Sequence, residues 1–136
     1  MRAKFVALIV TCLTAGSSCA RGPVAHSMGA ACNSVDDIIT EAATLAGHDV
    51  PVCGYLNYRF ENENLFANER AALRHDKNRC ISVGLAGGFS EDLSAFNGKY
   101  VHILGKVTTD ICQPGNVCLA ACSDTGVYVK SVRLLE

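Results

Sequence analysis

The chain has no tryptophan, and aromatic residues make up only 7% of it. A domain of this composition has little large apolar surface to bury, so covalent staples would contribute useful stability. Long hydrophobic runs are missing too. The longest, Phe5 to Ala15, has about eleven residues, where a membrane-spanning helix needs roughly twenty. An integral membrane protein with helical spans is therefore not expected. No Ser-His-Asp motif, phosphate-cradling glycine loop or metalloprotease histidine pair occurs. Behind residue 20 there is no Cys-x-x-Cys, which argues against a thioredoxin-like redox centre. Internal repeats and low-complexity tracts are absent.

What is present begins at the N-terminus. Arg2 and Lys4 precede the apolar run, and Gly16-Ser17-Ser18-Cys19-Ala20 closes it. Basic, greasy and then small is the order of a bacterial-type export signal. Residues 1–20 read as that signal, 21–31 as a tether and 32–136 as one domain. Two cleavages compete. A lipoprotein cut would leave Cys19 lipidated at the new N-terminus, although Gly16 stands where that motif usually has leucine. A soluble cut would follow Ala20. The expected location is periplasmic or outer-membrane-associated, with any membrane contact made through the lipid anchor.

Without Arg2 and Lys4, 10 Lys+Arg remain of 12, against 13 Asp+Glu. A net charge near −3 is a poor match for nucleic acid, whose binding relies on dense positive charge. Both cuts leave Cys32, Cys53, Cys80, Cys112, Cys118 and Cys122. Six cysteines in an oxidising compartment suit three disulfides. Fifteen connectivities are possible. Cys53 and Cys80 fall on outward faces of strands that could be neighbours, so they are expected to pair. Cys32 would then reach one of the last three. The spacing of Cys112, Cys118 and Cys122 does not match paired zinc ligands, and a stapled loop is the simpler reading.

Periodicity marks the elements. Ser34 can cap a helix whose first turn holds Asp36 and Asp37. Val35, Ile38, Ile39, Ala42 and Leu45 form its apolar stripe, and Gly47 ends it. From Val50 the period becomes two, with Val50, Val52, Gly54, Leu56, Tyr58 and Phe60 on one face. Gly54 suggests a bend that curls the sheet. Asn68 can cap a short helix to His75. Ile81, Val83 and Leu85 face inward on a second strand, with Cys80 and Ser82 outward. Ser90 can cap a helical turn to Phe96, and Asn97-Gly98 reverses the chain. Val101, Ile103, Gly105 and Val107 face inward on a third strand. Gln113-Pro114-Gly115-Asn116 reads as a turn, 117–121 as a short strand, and Val127, Val129 and Ser131 as one face of the last strand. Ser123-Asp124-Thr125-Gly126 reads as the turn leading into that strand. One helix followed by short strands, with no room for crossover helices, favours an α+β, mostly β, closed or half-closed barrel.

Val52-Cys53-Gly54-Tyr55-Leu56, Phe60-Glu61-Asn62, Leu65-Phe66, Cys80-Ile81-Ser82-Val83 and Gly98 through Gly105 together resemble small exported bacterial domains with an OB-like barrel. The resemblance covers about residues 35–134 and implies a small, partly closed OB-like barrel behind one N-terminal helix. It carries over no catalytic residue and no cofactor. The cysteine-rich segment 112–122 departs from plainer members.

Among polar residues, Glu61 ranks first as a ligand contact, since it lies in the step the resemblance shares. Glu61 and Glu63 could also be read as an acid–base pair. His102, on the outer face of its strand beside Tyr100, is a second candidate contact. Arg70, Arg74, His75, Lys77 and Arg79 form a basic patch suited to phosphates or anionic lipid heads. The expectation is an exported cell-envelope binding or structural module without catalytic, cofactor or metal sites. Its partner would be an envelope protein or cell-wall component. The alternatives are an inhibitor or immunity-type partner of another exported protein, or a small hydrolase using Glu61 or His102.

Overall fold

The computed structural model describes residues 31–59, 62–112 and 122–135. Residues 1–30 with the expected export signal and Cys19, residues 60–61 with Glu61, and residues 113–121 with Cys118 and the expected turn and short strand lie outside them. The elements run β1 (Asn33–Ser34), α1 (Val35–Thr40), α2 (Ala42–Leu45), β2 (Asp49–Arg59), β3 (Asn62–Phe66), α3 (Glu69–Leu73), β4 (Cys80–Leu85), β5 (Lys99–Thr108) and β6 (Gly126–Leu134). Short 3-10 turns occupy Lys77–Arg79 and Leu93–Phe96.

The leading helix begins where its cap predicts. The Asp37 amide donates to Ser34 Oγ at 3.1 Å, and the Ser34 amide donates to Asp37 Oδ2 at 2.9 Å. This reciprocal pair is a capping box. Glu41 leaves helical geometry, so the predicted single helix is two short segments, α1 and α2. Gly47, at φ +83°, then turns the chain in the left-handed region where a side chain would be strained. The Ser34 hydroxyl, followed by the Ser34 amide, holds the Asp37 carboxyl below its ordinary 3.8. A depressed folded pKa stabilises above the unfolded value, and the effect is lost as pH falls through the folded one. Ser34→Ala removes the helix cap and is expected to cost about 1 kcal/mol in urea unfolding at pH 7. That deficit should shrink below pH 4; a deficit that grows in acid would contradict the assignment.

The strands form one sheet that closes on itself. Its order is β1-β2-β3-β4-β6-β5, with β5 also paired to β2. Every ring pairing is antiparallel except β4 with β6. β2 is the long element of the ring. Along one edge it pairs continuously with β5, from Asp49 opposite Lys106 to Leu56 opposite Lys99. Its other edge changes partner, with β1 at Val52 and Cys53 and β3 from Tyr55 onward. Gly54 sits at the change. A Cβ there would lie 2.7 Å from the Phe66 carbonyl oxygen, 2.8 Å from Leu65 and 2.9 Å from Val35.

Alternate residues of the ring fill one core. Val52, Leu56, Leu65, Ile81, Val83, Val101, Ile103, Val107, Val127 and Val129 are buried together with Val35 and Ile38 of α1 and with Leu93. A second, smaller cluster lies outside β3 and β4. There α3 covers Phe66, Cys80 and Cys122 with Ala71 and Ala72. Leu65 and Phe66 therefore point to opposite faces and both are fully buried. With both of its only apolar residues buried and next to each other, β3 shows no alternation for the sequence to reveal.

Four further expectations are corrected. Leu85 is exposed; Cys80 faces away from the main core as expected, but is wholly buried in the second cluster. Asp92, not Ser90, caps the 3-10 turn by accepting from the Ser94 amide at 2.9 Å. On β6, Leu104 opposes Ser131 and Gly105 opposes Val129, so Lys130 is an extra, bulged residue. The bulge turns Ser131 outward and Val132 inward. Finally, Cys53 does not pair with Cys80. Cys32 bridges Cys53 and Cys80 bridges Cys122, with Cα atoms 5.7 and 5.5 Å apart. Since β3 lies between β2 and β4, Cys53 and Cys80 are not on adjacent strands, whereas β1 brings the chain beside Cys53.

Candidate functional site

The described surface has an open groove of about 500 Å³ where α3 meets the outer face of β5. Its position follows from α3. Asn68 accepts the Ala71 amide at 2.9 Å and starts the helix. Ala71 and Ala72 face down onto the Cys80–Cys122 bridge and Phe66, which leaves Arg70, Leu73 and Arg74 exposed. Leu73 is 76% exposed. Past Arg74 the chain reverses through His75, at φ +50°. Asp76 then accepts the Asn78 amide at 3.1 Å and caps the turn that delivers Arg79.

Three guanidinium groups, from Arg70, Arg74 and Arg79, line the groove beside Tyr100. Arg79 is anchored. Its Nε donates to Asp36 Oδ1 at 3.1 Å and its Nη2 donates to Asp36 Oδ2. This fork ties the first turn of α1 to the entrance of β4 and pushes the Arg79 guanidinium further above its usual range, through the hydrogen bonds first and the charge second. Both partners are over two-fifths exposed, so the pair contributes orientation more than stability. Tyr100 is fixed as well. Its hydroxyl accepts the Glu69 amide at 3.1 Å. Its ring meets Tyr55 edge-on, with centroids 5.3 Å apart and planes at 73°. Arg70 and Arg74 have no ion pair among the described residues. Glu69 and Asp76 also line the groove, and with Asp36 on Arg79 three carboxylates stand against the three cations.

The basic patch singled out in the sequence is thus partly gathered: Arg70, Arg74 and Arg79 converge, while His75 and Lys77 are exposed beside them. His102 lies two residues along β5 from Tyr100, opposite Cys53 and Arg133. Neither of those two register partners is a carboxylate. Glu63 is exposed on β3, opposite Tyr58. Burial first, and then the charge of Glu63, push the Tyr58 phenol up. Cys122 is committed to Cys80, and Cys112 is also disulfide-bonded, so these two sulfurs are not free thiolates for a metal. Tyr100 and Asp36 were not recognised as site residues from sequence. Tyr100 lines the groove and Asp36 anchors one of its walls, each through a contact more than thirty positions away along the chain.

No helix among the described residues is long and apolar enough to cross a membrane. The disulfides point to an oxidising, extracytoplasmic environment. No protein-family model matches the sequence. No characterised protein aligns with it significantly.

Proposed function

We propose that this chain is an exported, disulfide-stapled OB-like binding module of the bacterial cell envelope, held outside the cytoplasm either as a lipoprotein through Cys19 or as a soluble domain. The observation that carries the reading is the Cys80–Cys122 bridge, which is buried inside the second cluster beneath α3. A bridge in that position belongs to the fold and needs an oxidising compartment to form. The sheet order supports the OB-like part: a five-strand ring of β2-β3-β4-β6-β5 with a single parallel pairing. The groove beside α3 is the module's contact surface, and the protein works by binding rather than by catalysis. The cell-wall or envelope component it meets must reach an open, polar groove, which suits a small or extended ligand.

Intact mass of the protein from its native host tests this. The expected mass begins at Cys19 with acyl chains or at Arg21. It should rise by about six units on reduction, two hydrogens for each of three bridges. A chain still beginning at Met1, or one with no gain on reduction, would overturn the export reading.

A further inference from the structure

We propose that the groove between α3 and β5 is a carboxylate-binding site, with Arg70 and Arg74 as the paired donors and a peptide carboxylate as the ligand. This rests on the reading of the domain as a binding module. Arg70 and Arg74 stand four residues apart, so both leave the same side of α3. They carry like charges side by side, and neither has an ion-pair partner among the described residues. An anion between them would relieve that repulsion through charge-assisted hydrogen bonds from two planar donors.

The rest of the groove selects the kind of anion. Arg79 is already held and neutralised by Asp36, so it fixes one side of the groove without adding a free charge. The Tyr100 hydroxyl oxygen is occupied by the Glu69 amide, which leaves its hydrogen free to donate. The Tyr100 ring, 43% exposed, offers an apolar flank. Against these stand Glu69 and Asp76, and Asp36 neutralises Arg79, so the site has no surplus of positive charge beyond the Arg70 and Arg74 pair itself. Every added negative charge on a polyanion would add repulsion from those carboxylates, which a singly charged carboxylate keeps to a minimum. The openness of the groove lets the remainder of a peptide extend away from the bound end. Nucleic acid and densely anionic membrane are thereby disfavoured, and the C-terminus of a short peptide is favoured.

The test titrates the mature, oxidised protein with N-acetyl-Ala-Ala bearing a free carboxylate, and with the same peptide as its carboxamide, followed by amide chemical shifts. The free carboxylate is expected to shift residues 68–76 and Tyr100, and the carboxamide to leave them in place. The double variant R70Q/R74Q should weaken binding by about tenfold or more. Its retained shift dispersion would show that it still folds. K106Q, the loss of a single charge six residues along β5 from Tyr100, should bind as the unaltered protein does. Equal shifts from carboxylate and carboxamide would overturn the proposal, as would unchanged binding by R70Q/R74Q. Inorganic phosphate saturating the same residues at lower concentration would also overturn it. So would phosphatidylglycerol vesicles captured by the unaltered protein and not by R70Q/R74Q. The mass measurement is independent. An exported, bridged protein that ignores the peptide sinks only this proposal, and a peptide-binding protein without processing or bridges sinks only the export reading.

Discussion

Replacing Cys80 and Cys122 together by alanine is expected to lower the unfolding free energy by about 4 kcal/mol. The bridge closes a loop with a sequence separation of 42, twice the 21 of Cys32–Cys53. On the chain-entropy account, the corresponding loss for C32A/C53A is about 3 kcal/mol. The buried position adds a second effect. Cys80 and Cys122 lie under Ala71 and Ala72, so their loss removes part of the floor of α3. Amide exchange in 69–73 should accelerate in C80A/C122A more than in C32A/C53A. Urea unfolding with matched slopes would measure the free energies. A loss below about 1 kcal/mol, or equal exchange in both variants, would show that α3 is held mainly by other contacts. Loosening α3 would also move Arg70 and Arg74, so ligand affinity should fall with it.

Gly54→Ala should be the most damaging single methyl addition on β2, at about 3 kcal/mol. The nearest obstacle is the Phe66 carbonyl oxygen at 2.7 Å, which is backbone and cannot rotate aside. Leu65 and Val35 close the remaining directions. Relief would require β2 and β3 to separate at the point where β2 exchanges β1 for β3, the point from which the hairpin register follows. Gly87→Ala is the control, because nothing lies within 4 Å of its added carbon. It should stay within about 0.5 kcal/mol of the unaltered protein. Thermal or urea denaturation of both variants decides the matter. If the two glycines respond alike, close approach at Gly54 is not what the position requires.

Much of this architecture was legible before any coordinates. Ser34, Val35, Ile38 and Gly47 carry their helix through a cap, a stripe and a left-handed stop, all within about fourteen positions. β2 and β5 alternate cleanly because one face of each is the core and the other is open. The basic patch was visible too, as charges crowded between 70 and 79. β3 was hidden because Leu65 and Phe66 are both buried, one in each cluster. The β6 bulge was hidden because Lys130 gives no local sign that it will be skipped by β5. Tyr100 looked like one more outward residue until α3 was laid against it.

The division has a physical basis. Caps, turns and periodicity depend on atoms a few bonds apart, so the sequence alone determined the leading helical segment, the long strands and the even cysteine set. Ring closure, the Cys32–Cys53 and Cys80–Cys122 pairs and the meeting of Arg70, Arg74 and Arg79 with Tyr100 depend on which strands become neighbours. Burial of the two apolar clusters decides that adjacency for the whole chain at once, and so only the tertiary structure could settle it.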